Sequence, residues 1–366
     1  MYVKSLDLKN YRNYRELSLT PSPGINIFYG SNAQGKTNIL ESVYLAGTTK
    51  SHRGSKDRDI IKKGEDESHI RMLFMRRDNE YRIDVHLKRG RAKGIAVNGQ
   101  PLKRAADLFG ITSFVFFSPE DLGIIKNGPS ARRRFLDLML SAADRVYLTE
   151  LSRYGKILSQ RNALLHEAAF DRSRIPEIDI WDAELVRCGI SLIEAREAFI
   201  GRFGKTAAEK HRVLTGGRED LLILYEKNAS ASDFADTVSR LRDTDLRTKM
   251  TNAGPHRDDL LISANGMDLR TFGSQGQQRT AALSMKLAEI EILEKIRGDR
   301  PVLLLDDVLS ELDDTRQSAL LEGIRDTQTL ITCTGLDDFV KKNVRADRIF
   351  HVADGEIKEQ IQTYEQ

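Results

Sequence analysis

Eight residues narrow the folds open to this chain more than any others. Residues 30–37 read GSNAQGKT and match the pattern G-x-x-x-x-G-K-[ST]. They follow INIFY (25–29), which is short, apolar and rich in β-favouring residues, and they run into the helical pattern NILESVYLAG. Strand, glycine loop and helix in that order set backbone N–H groups at a helix N-terminus, where unpaired donors and the helix dipole both favour phosphate. Lys36 then reaches the β- and γ-phosphates, and the Thr37 hydroxyl ligates Mg2+. Gly30, Ser31, Asn32, Ala33, Gln34, Gly35 and Asn38 complete the expected ATP contacts. The competing reading is a Gly-rich strand–helix turn, which the flanking strand and helix argue against.

A phosphate loop of this kind needs a second acid for its metal. PVLLLDD supplies one, since four apolar residues at 302–305 end in Asp306 and Asp307. A buried strand that ends in two carboxylates is costly unless a cation sits there. Asp306 is the expected Mg2+-side acid, and Asp307 the group that orients or deprotonates the attacking water. A strand running into a polar turn with a helix cap is the plainer alternative. A third stretch, FGSQGQQRT, sits just before the helical pattern AALSMKLAEIEILEKI. It reads as a helix cap, with Ser274, Gln275, Gly276 and Gln277 at its start. Gly276 lies one helix upstream of the two-acid strand.

Around these motifs the chain changes character twice. In the first third, RMLFM (71–75), YRIDVHL (81–87) and ITSFVFF (111–117) read as strands, with a hairpin signal at Asn98-Gly99. From Pro129 the pattern is helical, with Ser130 as the expected cap of ARRRFLDLMLSAAD; RVYLTELSRYGKILSQRNALLHEAA follows, then helices over about 181–208 and 232–250. Strands return at DDLLISANGMDLRTF, with a second hairpin turn at Asn265-Gly266. PVLLLDD, a helix, TLITCT and RIFHV close the chain. Alternating strands and helices imply a largely parallel sheet. The expected fold class is α/β, with a helical insertion between two halves of one ATPase lobe. The expected divisions are 1–118 and 280–366 for that lobe, 119–250 for the helical arm, and 251–279 for the hairpin and the glycine-serine stretch.

The ordered series GSNAQGKT, SQGQ, LLLDD and SELD resembles the ABC-type ATPases. LKNYRNY, GSNAQGKTNILES, SHRGS, SPEDLGIIKNGPSARRRFLD, GPHRDDL, FGSQGQQRT and LLLDDVLSELD narrow the resemblance to the RecF family. These blocks cover most of the chain apart from parts of 145–245. The resemblance implies that SQGQ is a signature loop closing on the γ-phosphate held by a second subunit. Ser274 offers a hydroxyl there, and Gly276 a close backbone. It makes SELD a D-loop, with Ser310 and Asp313 as its working residues, and it places Arg12 near the nucleotide. It implies an ATP-dependent head-to-tail homodimer that binds DNA at single-strand/double-strand junctions and gaps. It further implies slow hydrolysis that releases the DNA, action with RecR and RecO, RecA loading, repair of stalled forks and SOS induction.

This chain departs from the ABC pattern in places. Asp307 stands where many members have Glu. No switch histidine follows TLITCT, leaving Thr332 or Thr334 for that place. Ser118 and Glu120, in VFFSPEDL, stand where a glutamine is usual. SMC proteins separate their nucleotide motifs by long coiled coils, whereas the span here leaves room only for a short arm.

Charge and composition fit this reading. The net charge of 366 residues is +3, but residues 1–110 hold 21 Lys and Arg against 12 Asp and Glu, and the remainder 36 against 42. A basic first lobe suggests sequence-independent phosphate contacts, with Lys56, Arg58, Lys62 and Lys63 the leading residues and Lys88, Arg89, Arg91 and Lys93 beside them. Arg132 and Arg133 sit in the first turns of a helix, where cations oppose the dipole. Their partner is DNA phosphate or an internal carboxylate such as Asp137. His256 and Arg257 read as a family block or a structural turn, and Trp181 and Cys188 as helix packing. Two cysteines and no apolar run of membrane length fit a soluble protein of the cytoplasm. Histidines and cysteines fall at no zinc-ligand spacing. A transporter's nucleotide-binding subunit and a small-molecule kinase are the rivals: the first calls for a membrane partner, and the second leaves SQGQ and SELD without purpose.

Overall fold

The structure is a computed structural model and describes residues 1–103, 105–324, 326–335 and 345–362. Two compact units form: one from Met1–Asp121 with Glu289–Gln366, the other from Leu122–Ala288.

The first unit holds two sheets. The nucleotide-motif sheet runs in the order Glu356–Gln362, Arg348–Ala353, Ile25–Tyr29, Thr329–Cys333, Val302–Asp306, Phe114–Phe117. All neighbours in it are parallel except the hairpin at the Glu356–Gln362 edge. Val302–Asp306 and Thr329–Cys333 are buried at every residue, as parallel strands covered on both faces must be. Their register sets Asp306 opposite Thr332. The second sheet is antiparallel, in the order Tyr14–Leu19, Tyr2–Tyr11, Glu67–Arg76, Asn79–Lys88, Gly94–Val97, Gln100–Pro101. Arg77 and Asp78 form its tight turn, both with positive φ. Asn98-Gly99 is a second such turn, as its sequence predicts.

Lys36–Thr48 is the helix on which the unit closes. Nine of its thirteen residues are buried, so it has no solvent face to read as an amphipathic stripe. Ile39, Leu40 and Val43 join Phe114, Leu304 and Leu330 of one sheet and Ile70, Met72 and Ile83 of the other in a single apolar cluster. Gly47 lets this packing close, because a Cβ there meets the Phe114 ring at 2.1 Å.

The second unit carries the predicted helices as Pro129–Ala143, Arg145–Ala168 and Ile178–Thr215. The expected cap Ser130 is inside the first of these. Gly128 is the cap, and Pro129 takes the first helical position, where its missing N–H costs nothing. The helix expected over 232–250 divides into Phe234–Arg240 and Arg242–Thr248. A strand not anticipated, Leu221–Glu226, pairs antiparallel with Asp259–Ala264, which pairs in turn with Met267–Asp268. Arginines cross this interior: Arg161 binds Asp182 and Asp245, and Arg196 binds Asp137 and Asp258.

Candidate nucleotide-binding site

The loop between Tyr29 and Lys36 takes the backbone its glycines allow. Gly30 has φ +152 and Gly35 φ +112, and both positions are also closed by neighbours. A Cβ on Gly30 meets the Val352 carbonyl oxygen at 2.2 Å, and one on Gly35 meets the Asn13 amide at 2.5 Å. Gly35 caps the helix with its backbone alone, and Ala33 also has positive φ. The loop is thus a cradle of backbone whose two end residues contribute no side chain of their own.

Two hairpins hold that cradle in shape. Asn13 donates to the Gln34 carbonyl at 2.9 Å and accepts from Asn38 at 2.8 Å, while the Tyr14 hydroxyl donates to the Gly35 carbonyl at 3.0 Å. From the other side, the Asp354 N–H donates to the Gln34 side chain at 2.6 Å, and the Gly355 N–H to its carbonyl at 3.2 Å. Sequence reasoning missed all four bracing residues. LKNYRNY and DGEI carry them, but only the sheet order brings those turns beside residues 34–38.

Lys36 donates to the Gly30 carbonyl at 2.6 Å and the Ser31 carbonyl at 2.8 Å, so its ammonium lies folded against its own loop. Burial lowers its pKa; Asp307, Cys333 and Asp306 oppose that shift. One helical position on, the Thr37 hydroxyl donates to Asp306 Oδ1 at 2.8 Å, and the Thr332 hydroxyl donates to the same oxygen at 2.7 Å. Thr332 Oγ1 also accepts from the Asp307 N–H at 3.0 Å. Asp307 has φ +54, a conformation that Asp tolerates better than most residues but that costs about 1–3 kcal/mol when imposed. Ser310 donates to the Asp307 carbonyl at 2.9 Å and to its carboxylate at 3.1 Å. The strand end, the phosphate loop and the SELD turn are therefore joined through two carboxylates and three hydroxyls. Thr37 and Asp306 are hard oxygen donors of the kind that suits Mg2+. Asp313 of SELD caps the next helix by accepting from the Arg316 N–H at 3.0 Å. Thr334 is exposed, and Ser118 donates its N–H to Asp121 at 2.8 Å while Glu120 points to solvent.

Arg12 is placed behind this site. Its guanidinium binds both oxygens of Glu41, at 2.9 and 2.7 Å, together with Ser55 and the Asp59 carbonyl. Glu41 is fully buried on the Lys36–Thr48 helix and also accepts from Ser51 at 2.5 Å. Burial pushes the Glu41 pKa up, but the hydrogen bonds from Arg12 and Ser51 outweigh it and leave the group below its ordinary value. His52, in the same SHRGS stretch, stacks on Phe116 at 3.7 Å, and its burial brings its pKa down to about 4.

In the second unit, FGSQGQQRT is a reciprocal cap. The Ser274 N–H donates to Gln277 Oε1 at 3.0 Å, and the Gln277 N–H donates to Ser274 Oγ at 3.2 Å, opening the helix Gln275–Arg297. Gln277 is held from behind by Glu219 at 3.1 Å, and Gln278 donates to the Leu269 carbonyl at 2.7 Å. Ser274 and Gln275 remain exposed and Gly276 half-buried, so this helix N-terminus faces outward.

Several predicted cations are turned to structural work. Arg132 is buried and binds both oxygens of Asp259, at 2.6 and 2.8 Å, and Arg133 donates to the Asp258 carbonyl at 2.7 Å. The carboxylate is Asp259, not Asp137, because Asp137 is taken by Arg196. Arg132 is thereby removed as a phosphate contact: a buried guanidinium fixed on a carboxylate presents no donors to solvent. Lys62 donates to the Asn13 carbonyl at 2.7 Å, and Lys93 to Asp57 at 2.8 Å. Lys56, Arg58, Lys63, Arg89 and Arg91 are exposed, as is Lys88, which lies 3.4 Å from Glu67. His256 accepts or donates between Tyr154 and the Thr251 carbonyl, and Arg257 bonds to Thr251 and Asn252, so GPHRDD serves as a structural turn. Trp181 packs on Leu164, Leu165 and Ile178, and Cys188 is buried. No described helix is long and apolar enough to cross a membrane.

Comparison with known proteins gives the chain its relatives. The family model described as the RecF/RecN/SMC N terminal domain matches residues 2–358. The chain is 51% identical over 358 residues to the DNA replication and repair protein RecF of Agathobacter rectalis, covering 98% of this chain and 99% of that one. The protein of the same description from Lachnoclostridium phytofermentans is 52% identical with the same coverage. Among solved structures, that of the recombination mediator protein RecF with ATP, from the RecFOR pathway, superposes with a TM-score of 0.91 at 36% identity, covering 99% of this chain and 98% of that one. An Smc head bound to the C-terminal winged-helix domain of ScpA matches at 0.58 and 17% identity, over 99% and 98%, which extends the likeness to the ABC-type head fold alone.

Proposed function

This chain belongs to the RecF family, and from that premise we propose that it is an ATP-gated DNA-binding protein of replication and recombinational repair. The observation that carries the reading is the sharing of Asp306 Oδ1 between the Thr37 and Thr332 hydroxyls, with Lys36 on the adjoining loop. A buried carboxylate aimed at the hydroxyl of a phosphate loop supports this reading, because a cation and a phosphate would replace those hydrogen bonds. In the proposed ATP site the loop amides and Lys36 hold the phosphates, while Thr37 and Asp306 hold Mg2+. The ion would supply charge neutralisation at the β- and γ-oxygens. Asp307, fixed by Ser310 and Thr332, orients the attacking water. Being one methylene shorter than glutamate, it suits slow turnover.

In the proposed dimer Ser274 and the backbone at Gly276 cap the γ-phosphate bound by a second copy, using the charge of a helix N-terminus across an interface. ATP binding then favours the dimer by mass action, and hydrolysis removes that preference. The dimer would hold DNA without reading sequence, through exposed cations of the first unit such as Lys56, Arg58 and Lys63. With RecR, and in a pathway with RecO, it would promote RecA loading on gapped DNA and induction of the SOS response.

The test is binding to duplex, single-stranded and gapped DNA, with and without ATP, for wild type and Lys36→Arg. Wild type should bind more tightly with ATP, and Lys36→Arg should lose that dependence. Equal affinity in every combination contradicts the proposal.

A further inference from the structure

Histidine spacing in the sequence suggests no metal ligands, yet the antiparallel sheet of the first unit assembles a set of them. Glu67 and His69 lie two residues apart on Glu67–Arg76, hence on one face, and the hairpin register pairs His69 directly with His86 of Asn79–Lys88. The two imidazoles stack 4.3 Å apart at 8°. Glu67 turns one oxygen to His86 Nε2 at 3.2 Å and the other to His69 Nε2 at 3.7 Å. All three potential ligand atoms lie within 4.8 Å of one another. Each side chain is roughly half exposed, so the rings are free to turn and the site is open to solvent. Beside His86 the next strand offers Gly94, so no side chain crowds that flank. Lys88, which the register pairs with Glu67, lies 3.4 Å from that carboxylate and competes with a metal for it.

We propose that Glu67, His69 and His86 form a binding site for a borderline divalent transition-metal ion of the zinc type. Two imidazole nitrogens and one carboxylate oxygen are the donor set such ions prefer, whereas Mg2+ and Ca2+ favour all-oxygen shells and fit it poorly. Three protein ligands leave a coordination position open to water or to a partner's side chain. The ion displaces the Lys88 ammonium from Glu67 and clamps the two strands across their hairpin. Cross-strand pairing explains why residue spacing hides the site: His69 and His86 are seventeen positions apart in sequence and neighbours in the sheet.

The test uses the full chain without an affinity tag, without nucleotide and with excess Mg2+ to occupy Asp306. Titration with Zn2+, and with Co2+ followed by its visible absorption, should show one saturable site per chain. His69→Ala and His86→Ala should each weaken it about tenfold or more, since even loss of a residue supporting a ligand costs about 10–100-fold. Lys88→Gln should tighten it by removing the competing cation. Absence of a saturable site overturns the proposal, as does binding that is unchanged in the His69→Ala, His86→Ala double variant.

Discussion

Replacing Thr332 with valine isolates what its hydroxyl does. Valine keeps the shape and β-branching that suit the buried strand Thr329–Cys333. The change removes a donor 2.7 Å from Asp306 Oδ1 and an acceptor 3.0 Å from the Asp307 N–H. The Asp307 N–H retains the Thr332 carbonyl at 3.2 Å, so the loss falls mainly on the carboxylate. Hydrogen bonds to charged groups contribute about 1.5–3 kcal/mol. Thr37 still holds the same oxygen, so about 1.5–2 kcal/mol of stability should disappear, at the lower end of that range. The functional effect should be larger than that of an ordinary core change. In the proposed site Asp306 keeps only the Thr37 hydroxyl and is less firmly aimed at Mg2+, and groups that orient a metal ligand are worth about 10–100-fold in affinity or activity. Steady-state ATPase measured against Mg2+ concentration, with urea unfolding alongside, reads both effects. Thr332→Ser restores the hydroxyl and should restore the Mg2+ dependence. An ATPase with wild-type rate and Mg2+ requirement in Thr332→Val would refute the reasoning.

Arg12→Ala leaves Glu41 ionised in a fully buried position, so it should cost about 3–5 kcal/mol in urea unfolding even without nucleotide; a loss below about 1 kcal/mol, the range of exposed pairs, would show that Arg12 is not structural. His52 is neutral when folded, with a pKa near 4, and protonates near 6.5 when unfolded. Its contribution is complete above pH 6.5 and is lost as pH falls towards 4, to a limit of about 3.5 kcal/mol at about 1.4 kcal/mol per pH unit. His52→Phe, which keeps the stacking on Phe116, should flatten that part of the stability–pH curve, and an unchanged slope would place the titration elsewhere.

The parts of the site legible in the sequence are those whose chemistry is local. GSNAQGKT demands its own backbone, and LLLDD announces a buried strand with an acid at its end. The polar cap at Ser274 is equally legible, because a capping box needs residues only three apart. What stayed hidden depends on register between distant segments. The sequence names Thr332 only as an alternative to Thr334, and its contact with Asp306 arises because two parallel strands align at those residues. Asn13, Tyr14, Asp354 and Gly355 reach the loop only through sheet order. For Arg132 the sequence leaves DNA phosphate and an internal carboxylate open, and only the placement of the Asp259 strand beside it picks the carboxylate. Leu221–Glu226 stayed hidden because its partner strand, Asp259–Ala264, lies far along the chain beyond two helices.

The claim that ATP works as the adhesive of a dimer is tested most directly by mass in solution. Light scattering on the wild-type chain should give a monomer alone and a dimer with ATP and Mg2+. Ser274→Arg, which places a bulky cation at the exposed cap while leaving the phosphate loop untouched, should bind ATP yet stay monomeric. A wild-type chain that remains a monomer with ATP and DNA, or a Ser274→Arg chain that dimerises as wild type does, would contradict it.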